Sequence, residues 1–187
     1  MTQRAARWVA AALGLLVVML GMTAFTLSVG GDTDAMAECA TRVRLWESGN
    51  HLWREAGSPP VVCMSGPRPG HSGLWDGRAI RVWPAGAAYW DLSPSAFYDD
   101  ILWHEMGHAW ASNVAHLDER RGDYETIRGI VGVTPAESNE DYAETFSASL
   151  GHTPRWFTCD AGYCWSHRPT EAELSGLREA GLLPQLP

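Results

Sequence analysis

Apolar positions recur at helical spacing in several stretches of the chain and alternate in short runs between them. In Glu38–Ala56, Val43, Leu45, Trp46, Leu52 and Trp53 are spaced as one helix face, despite Gly49. Val61-Val62-Cys63-Met64, after two prolines, reads as a strand. Leu74-Trp75, the turn pair Asp76-Gly77 and Ala79–Trp83 read as a β-hairpin that stops at Pro84. Ser93-Pro94 then offers a cap and a first-turn proline, and nothing but Gly107 interrupts the helix predicted from there to about Ser112. A further helix is expected from Ser138, on the capping-box form Ser138-Asn139-Glu140-Asp141, to Leu150 before Gly151. The last runs from Thr170-Glu171-Ala172-Glu173 to near Gly181. Together these predict an α+β domain over residues 38–187.

The first 31 residues follow another pattern. Arg4 and Arg7 precede Trp8–Gly31, which holds no charged residue, and Asp32 and Asp34 follow it. As a helix, Trp8–Val29 would span about 33 Å, enough for a bilayer core of about 30 Å. This predicts a single-pass anchor over residues 1–31, a polar linker over 32–37, a cytoplasmic N-terminus and a domain outside the cytoplasm. The competing reading is a secretory signal cleaved after Ala35-Met36-Ala37. Both put the domain in an oxidising compartment, where the four cysteines, Cys39, Cys63, Cys159 and Cys164, are expected to pair. Three pairings exist. A local Cys159–Cys164 bridge would leave Cys39–Cys63, while a zinc knuckle of Cys159, Cys164 and His167 is the alternative.

Composition narrows the function classes. Net charge is −8, and no basic cluster occurs, which argues against a nucleic-acid partner. The ten tryptophans are expected mostly in the core, with one or two free to line a cleft. Nothing in the pattern argues for oligomerisation.

The chemistry concentrates in Ile101–Trp110, ILWHEMGHAW. On a helix, His104 and His108 lie one turn apart on one face, so both imidazoles can reach a single ion. Glu105 stands beside that face, placed to take a proton from a metal-bound water rather than to bind. A third ligand is needed. His116 and Asp118 lie just past the helix, but the better candidate is Glu140, with Glu144 one turn further able to accept the second N–H of a ligand histidine. Ala111 and Val114 stand where a metzincin would need glycine and histidine or aspartate, which excludes that subclass.

HEMGH followed by Asn139-Glu140-x-x-Ala143-Glu144-x-Phe146 resembles the gluzincin metallopeptidases, especially the small bacterial and lethal-factor-like branch. The resemblance spans roughly residues 79–150. It implies a zincin-like fold, with a small, mostly antiparallel sheet packed on an active-site helix and a third-ligand helix. It also implies Zn2+ on His104, His108 and Glu140, Glu105 as general base, Glu144 behind a ligand histidine, and a peptide or protein substrate along an edge strand at Ile80–Trp83, including Ile80 and Val82. Members of that branch carry a tyrosine before the third ligand, where this chain has Gly132-Val133-Thr134. Tyr124, His152 and His167 are candidates for that oxyanion-stabilising role. The expected activity is zinc-dependent hydrolysis of peptide bonds outside the cytoplasm. The rivals are a zincin-like protein that holds zinc without hydrolysis, a Trp-rich interaction domain without metal, and an amidase acting on cell-wall peptides.

Overall fold

The structure, a computed structural model, describes residues 33–66, 72–86, 93–152 and 167–186. These form an α+β unit of six helices and one three-stranded mixed sheet. The apolar segment Trp8–Val29 and the pair Cys159 and Cys164 lie outside the described residues. Among the described residues, no helix is long and apolar enough to cross a membrane.

Helix α1 covers residues 33–49, so most of the stretch expected as a linker is helical. The single opening helix expected from Glu38 to Ala56 is divided at Asn50. That residue is extended and its side chain caps α2 (His51–Glu55) by accepting from the Trp53 N–H at 3.0 Å. Strand β1 (Val61–Cys63) follows, tied to α1 by the Cys39–Cys63 disulfide across 24 residues. Closing a loop of that length stabilises by about 3 kcal/mol in the chain-entropy picture.

Strands β2 (Gly73–Trp75) and β3 (Ile80–Val82) form the expected hairpin, registered Gly73↔Val82 and Trp75↔Ile80. Its turn is held by Asp76, whose Oδ1 accepts from the N–H groups of Arg78 and Ala79. The sheet differs from the mostly antiparallel one expected. β1 pairs with β3 in parallel, so the order is β1-β3-β2 and β3 lies in the middle. A crossover from β1 to β2 that leaves room for β3 between them produces this order, and period-two alternation carries no trace of it.

Helix α3 (Pro94–Asn113) starts at the expected Ser93 cap. Its apolar residues surround it rather than forming one stripe, as suits a helix packed on two sides. The hairpin strands β2 and β3 cover one side and α5 (Pro135–Ser149) the other. In chain order α3 is followed by α4 (Leu117–Arg128), kinked at Arg120, which the apolar pattern did not predict. Helix α5 begins earlier than expected. The box is Thr134/Glu137 with Pro135 in the first turn, not Ser138/Asp141, and Ser138 and Asp141 are both buried inside the helix. Helix α6 (Glu171–Glu179) starts at the expected Thr170/Glu173 box. The core joins Leu102, Met106 and Trp110 of α3, Tyr142 and Phe146 of α5, Ile80 and Val82 of β3, and Leu174 and Leu177 of α6.

Candidate metal centre

The crossing of α3 and α5 builds the site. A Cβ on Gly107 would lie 2.7 Å from the Ala143 Cα and 2.9 Å from its carbonyl oxygen, so only glycine lets the two backbones come this close. With the helices in contact there, the one-turn pair Glu140 and Glu144 on α5 faces the one-turn pair His104 and His108 on α3.

Three ligand atoms converge. His104 Nε2 lies 3.2 Å from His108 Nε2 and 3.2 Å from Glu140 Oε2, and His108 Nε2 lies 3.7 Å from Glu140 Oε1. His104, His108 and Glu140 form a group whose ligand atoms all lie within 4.8 Å of one another and could hold a metal ion. Ligands about 2.0–2.1 Å from a tetrahedral ion stand about 3.3–3.4 Å apart, close to these spacings. Behind the cluster, His104 Nδ1 is 2.6 Å from Glu144 Oε1. That contact places a ring proton on Nδ1 and orients the ring so that Nε2 faces His108 and Glu140.

Electrostatics match the geometry. Burial alone would depress the His104 pKa, but the Glu144, Glu140 and Glu105 carboxylates outweigh it and lift it well above its ordinary value. Burial opposes ionisation of Glu140, yet hydrogen bonds and charge from His104 and His108 prevail and hold its carboxyl far below the usual range. Glu105 is different. It is 4% exposed, and burial raises its pKa against the opposing pull of the two histidines. Its carboxylate accepts from the Trp75 backbone N–H, while Oε2 is buried with no hydrogen-bond partner. Gly73 makes room for it, since a Cβ there would stand 2.5 Å from Glu105 Oε1.

Other expected participants lie elsewhere. Ile80 and Val82 are fully buried on the central strand β3 and offer no edge to a substrate; the strand beside Glu105 is β2. His116 adopts a left-handed conformation ahead of α4, and Asp118 pairs with Arg121; neither belongs to the cluster. The Tyr124 hydroxyl donates to Asp141 and accepts from the Thr145 hydroxyl, His152 stacks on Trp103, and His167 bonds Glu173. A shallow hollow of about 610 Å³ opens beside Trp75, Arg78, Ser112 and His116, but none of the ligand residues lines it. Convergent donors, not cavity volume, mark the site.

Sequence reasoning missed Gly73 and Gly107. Gly107 sits between the two histidines in HEMGH, where it reads as a weak point in the helix; its use is visible only once Ala143 is packed against it. Comparison with protein-family models, curated proteins and solved structures finds no match for this chain.

Proposed function

We propose that this chain is a zinc-dependent peptidase of minimal zincin type, acting outside the cytoplasm. The observation that carries the reading is the meeting of three convergent donors, at near-tetrahedral spacing, with the buried Glu105 carboxylate, whose Oε2 has no hydrogen-bond partner. A purely structural cluster has no use for the second feature, because an unsatisfied buried carboxylate oxygen costs stability. The nitrogen and oxygen donor set suits zinc, with one position left open for water.

His104, His108 and Glu140 would hold the ion, and Glu144 fixes the tautomer of His104. When bound, zinc supplies a water of lowered pKa and polarises the scissile carbonyl. With the ion in place, Glu105 would be the residue to accept a proton from that water and return it to the leaving amine; its raised pKa brings it closer to the neutral range in which both transfers work. The backbone of β2, bordering the site, is the edge along which a peptide can lie. In the hairpin register, Gly73 and Trp75 turn their polar backbone groups away from β3, and the Trp75 N–H is already bonded to Glu105.

A metal-holding protein without hydrolysis is the second reading. It draws on the engagement of Tyr124, His152 and His167 elsewhere, which leaves no side-chain donor assigned to the oxyanion. The experiment is the metal content of the full purified chain by mass spectrometry, followed by hydrolysis of a peptide library with Glu105→Gln alongside. Near-stoichiometric zinc, with cleavage lost in the variant, supports the peptidase. Zinc without cleavage in the wild type selects the second reading, and no zinc after reconstitution overturns both.

A further inference from the structure

Residues 140 and 141 are adjacent on α5 and serve different neighbours. Glu140 turns to the histidines of α3, and Asp141, fully buried, turns to α4. There the Arg128 guanidinium, also fully buried, forks onto it, Nε to Oδ2 at 3.0 Å and Nη2 to Oδ1 at 3.1 Å. The Tyr124 hydroxyl donates to the same carboxylate. Arg128 reaches further, donating to the His167 carbonyl at 2.7 Å and pairing with Glu173 at 3.0 Å. The next residue of α5, Tyr142, donates its hydroxyl to the Leu182 carbonyl. Helix α5 is thus gripped on its far side by α4 and by the segment that carries α6.

From this we infer that Arg128, Asp141 and Tyr124 are positioning residues for the metal centre: they fix the rotation of α5 about its own axis and so set where the Glu140 carboxylate stands. This rests on the metal-site reading above. The contact of Gly107 with Ala143 sets the distance between the helices, and Trp110 packed on Phe146 and Glu144 bonded to His104 hold the face of α5 turned to α3; the Arg128–Asp141 pair holds the opposite face. The magnitude matters. A side-chain oxygen lies about 6 Å from the helix axis, so a 10° rotation displaces it by about 1 Å, whereas a binding constellation tolerates about 0.5 Å. A bidentate arginine–carboxylate pair is planar and directional, which is what resisting rotation requires.

The test separates positioning from folding. Replacing both members of a buried ion pair by apolar side chains leaves a fold intact far more often than removing one. Arg128→Met/Asp141→Leu in the full chain is therefore expected to retain a cooperative melting transition. It should bind Zn2+ about tenfold or more weakly, by competition with a chromophoric chelator, with altered visible bands when loaded with Co2+. Tyr124→Phe removes one hydroxyl without changing shape and should weaken Zn2+ binding by a smaller factor, about threefold, with a smaller change in the same bands. Wild-type affinity and unaltered Co2+ bands in both variants would overturn the positioning role while leaving the metal site standing. If the double variant does not fold, Tyr124→Phe decides alone, unchanged bands overturning the inference. A wild-type chain that binds neither ion overturns the inference and the metal-site reading together.

Discussion

Helix α5 presents buried acidic groups to two neighbours, and the two sets are treated in opposite ways. Toward α4, Asp141 meets a guanidinium and a tyrosine hydroxyl, and Arg128 is matched in turn by Glu173 and the His167 carbonyl. Toward α3, the half-buried Glu140 and the buried Glu144 meet two imidazoles and another buried carboxylate, Glu105, and none of the three bonds to an arginine among the described residues. Glu105 Oε2 and Glu144 Oε2 have no partner. One region is a closed set of opposite charges; the other is an accumulation of acceptors. Proteins keep the second kind of arrangement where a cation or a reaction uses it. The lesson is that burial and charge alone do not distinguish a structural knot from a functional site, but the balance of donors and acceptors does.

The largest effect expected from breaking this contrast is at Glu105. Glu105→Gln removes the base and should lower kcat for peptide cleavage by about 10²–10⁴-fold while zinc is retained. Because it also removes a buried, partly unsatisfied carboxylate, the melting temperature should stay level or rise, as is common where a site is held at the expense of stability. Parallel kinetics, metal analysis and calorimetry check the three parts. A variant that loses activity by losing its metal would contradict the assigned role. On the closed side the sign is reversed. Arg128→Ala leaves Asp141 buried without its guanidinium, which costs about 3–5 kcal/mol. That corresponds to a fall in melting temperature of about 6–20 °C for a chain of this size.

How far each region could be read from the sequence follows from the range of its interactions. The site was legible because its parts are local: His104 with His108 and Glu140 with Glu144 are one-turn pairs, visible as spacing within a helix. The Ser93 and Thr170 caps were legible for the same reason. The knot was not. Helix α4 holds few apolar residues beyond Leu117, Tyr124 and Ile127, and its buried Arg128 makes sense only beside Asp141. Asp141 itself was read as part of a capping box, because Ser138-Asn139-Glu140-Asp141 imitates one. Thr134 prevails because Glu137 completes its box and Pro135 suits the first turn, which leaves Asp141 free to turn inward. The substrate strand failed for a topological reason, since the central place of β3 depends on β1 pairing beside it.

A smaller effect is expected at the seam between the regions. Glu144→Gln keeps the shape and the acceptor facing His104 Nδ1 but removes its charge, so the imidazole becomes a weaker ligand. Zinc affinity should fall about 10–100-fold, with the fold retained. Competition against a chelator of known affinity measures this directly, and an unchanged affinity would detach Glu144 from the site.

The smallest effect sharpens the comparison from the closed side, through pH. Burial alone would raise the Glu173 pKa, but bonds from Thr170 and His167 and the charge of Arg128 outweigh it and lower it below its ordinary 4.5. A carboxyl held lower in the folded chain than in the unfolded one contributes stability that is present above 4.5 and lost as pH falls through the lowered value. Glu173→Gln keeps the capping box, which accepts glutamine, and removes the carboxylate's charge together with its titration. The wild type should therefore lose more melting temperature than the variant between about pH 5 and pH 3. Above that window the two should differ by a constant offset, the lost ion pair with Arg128. A difference that grows toward alkaline pH instead would mean that Glu173 does not carry the charge that closes the knot.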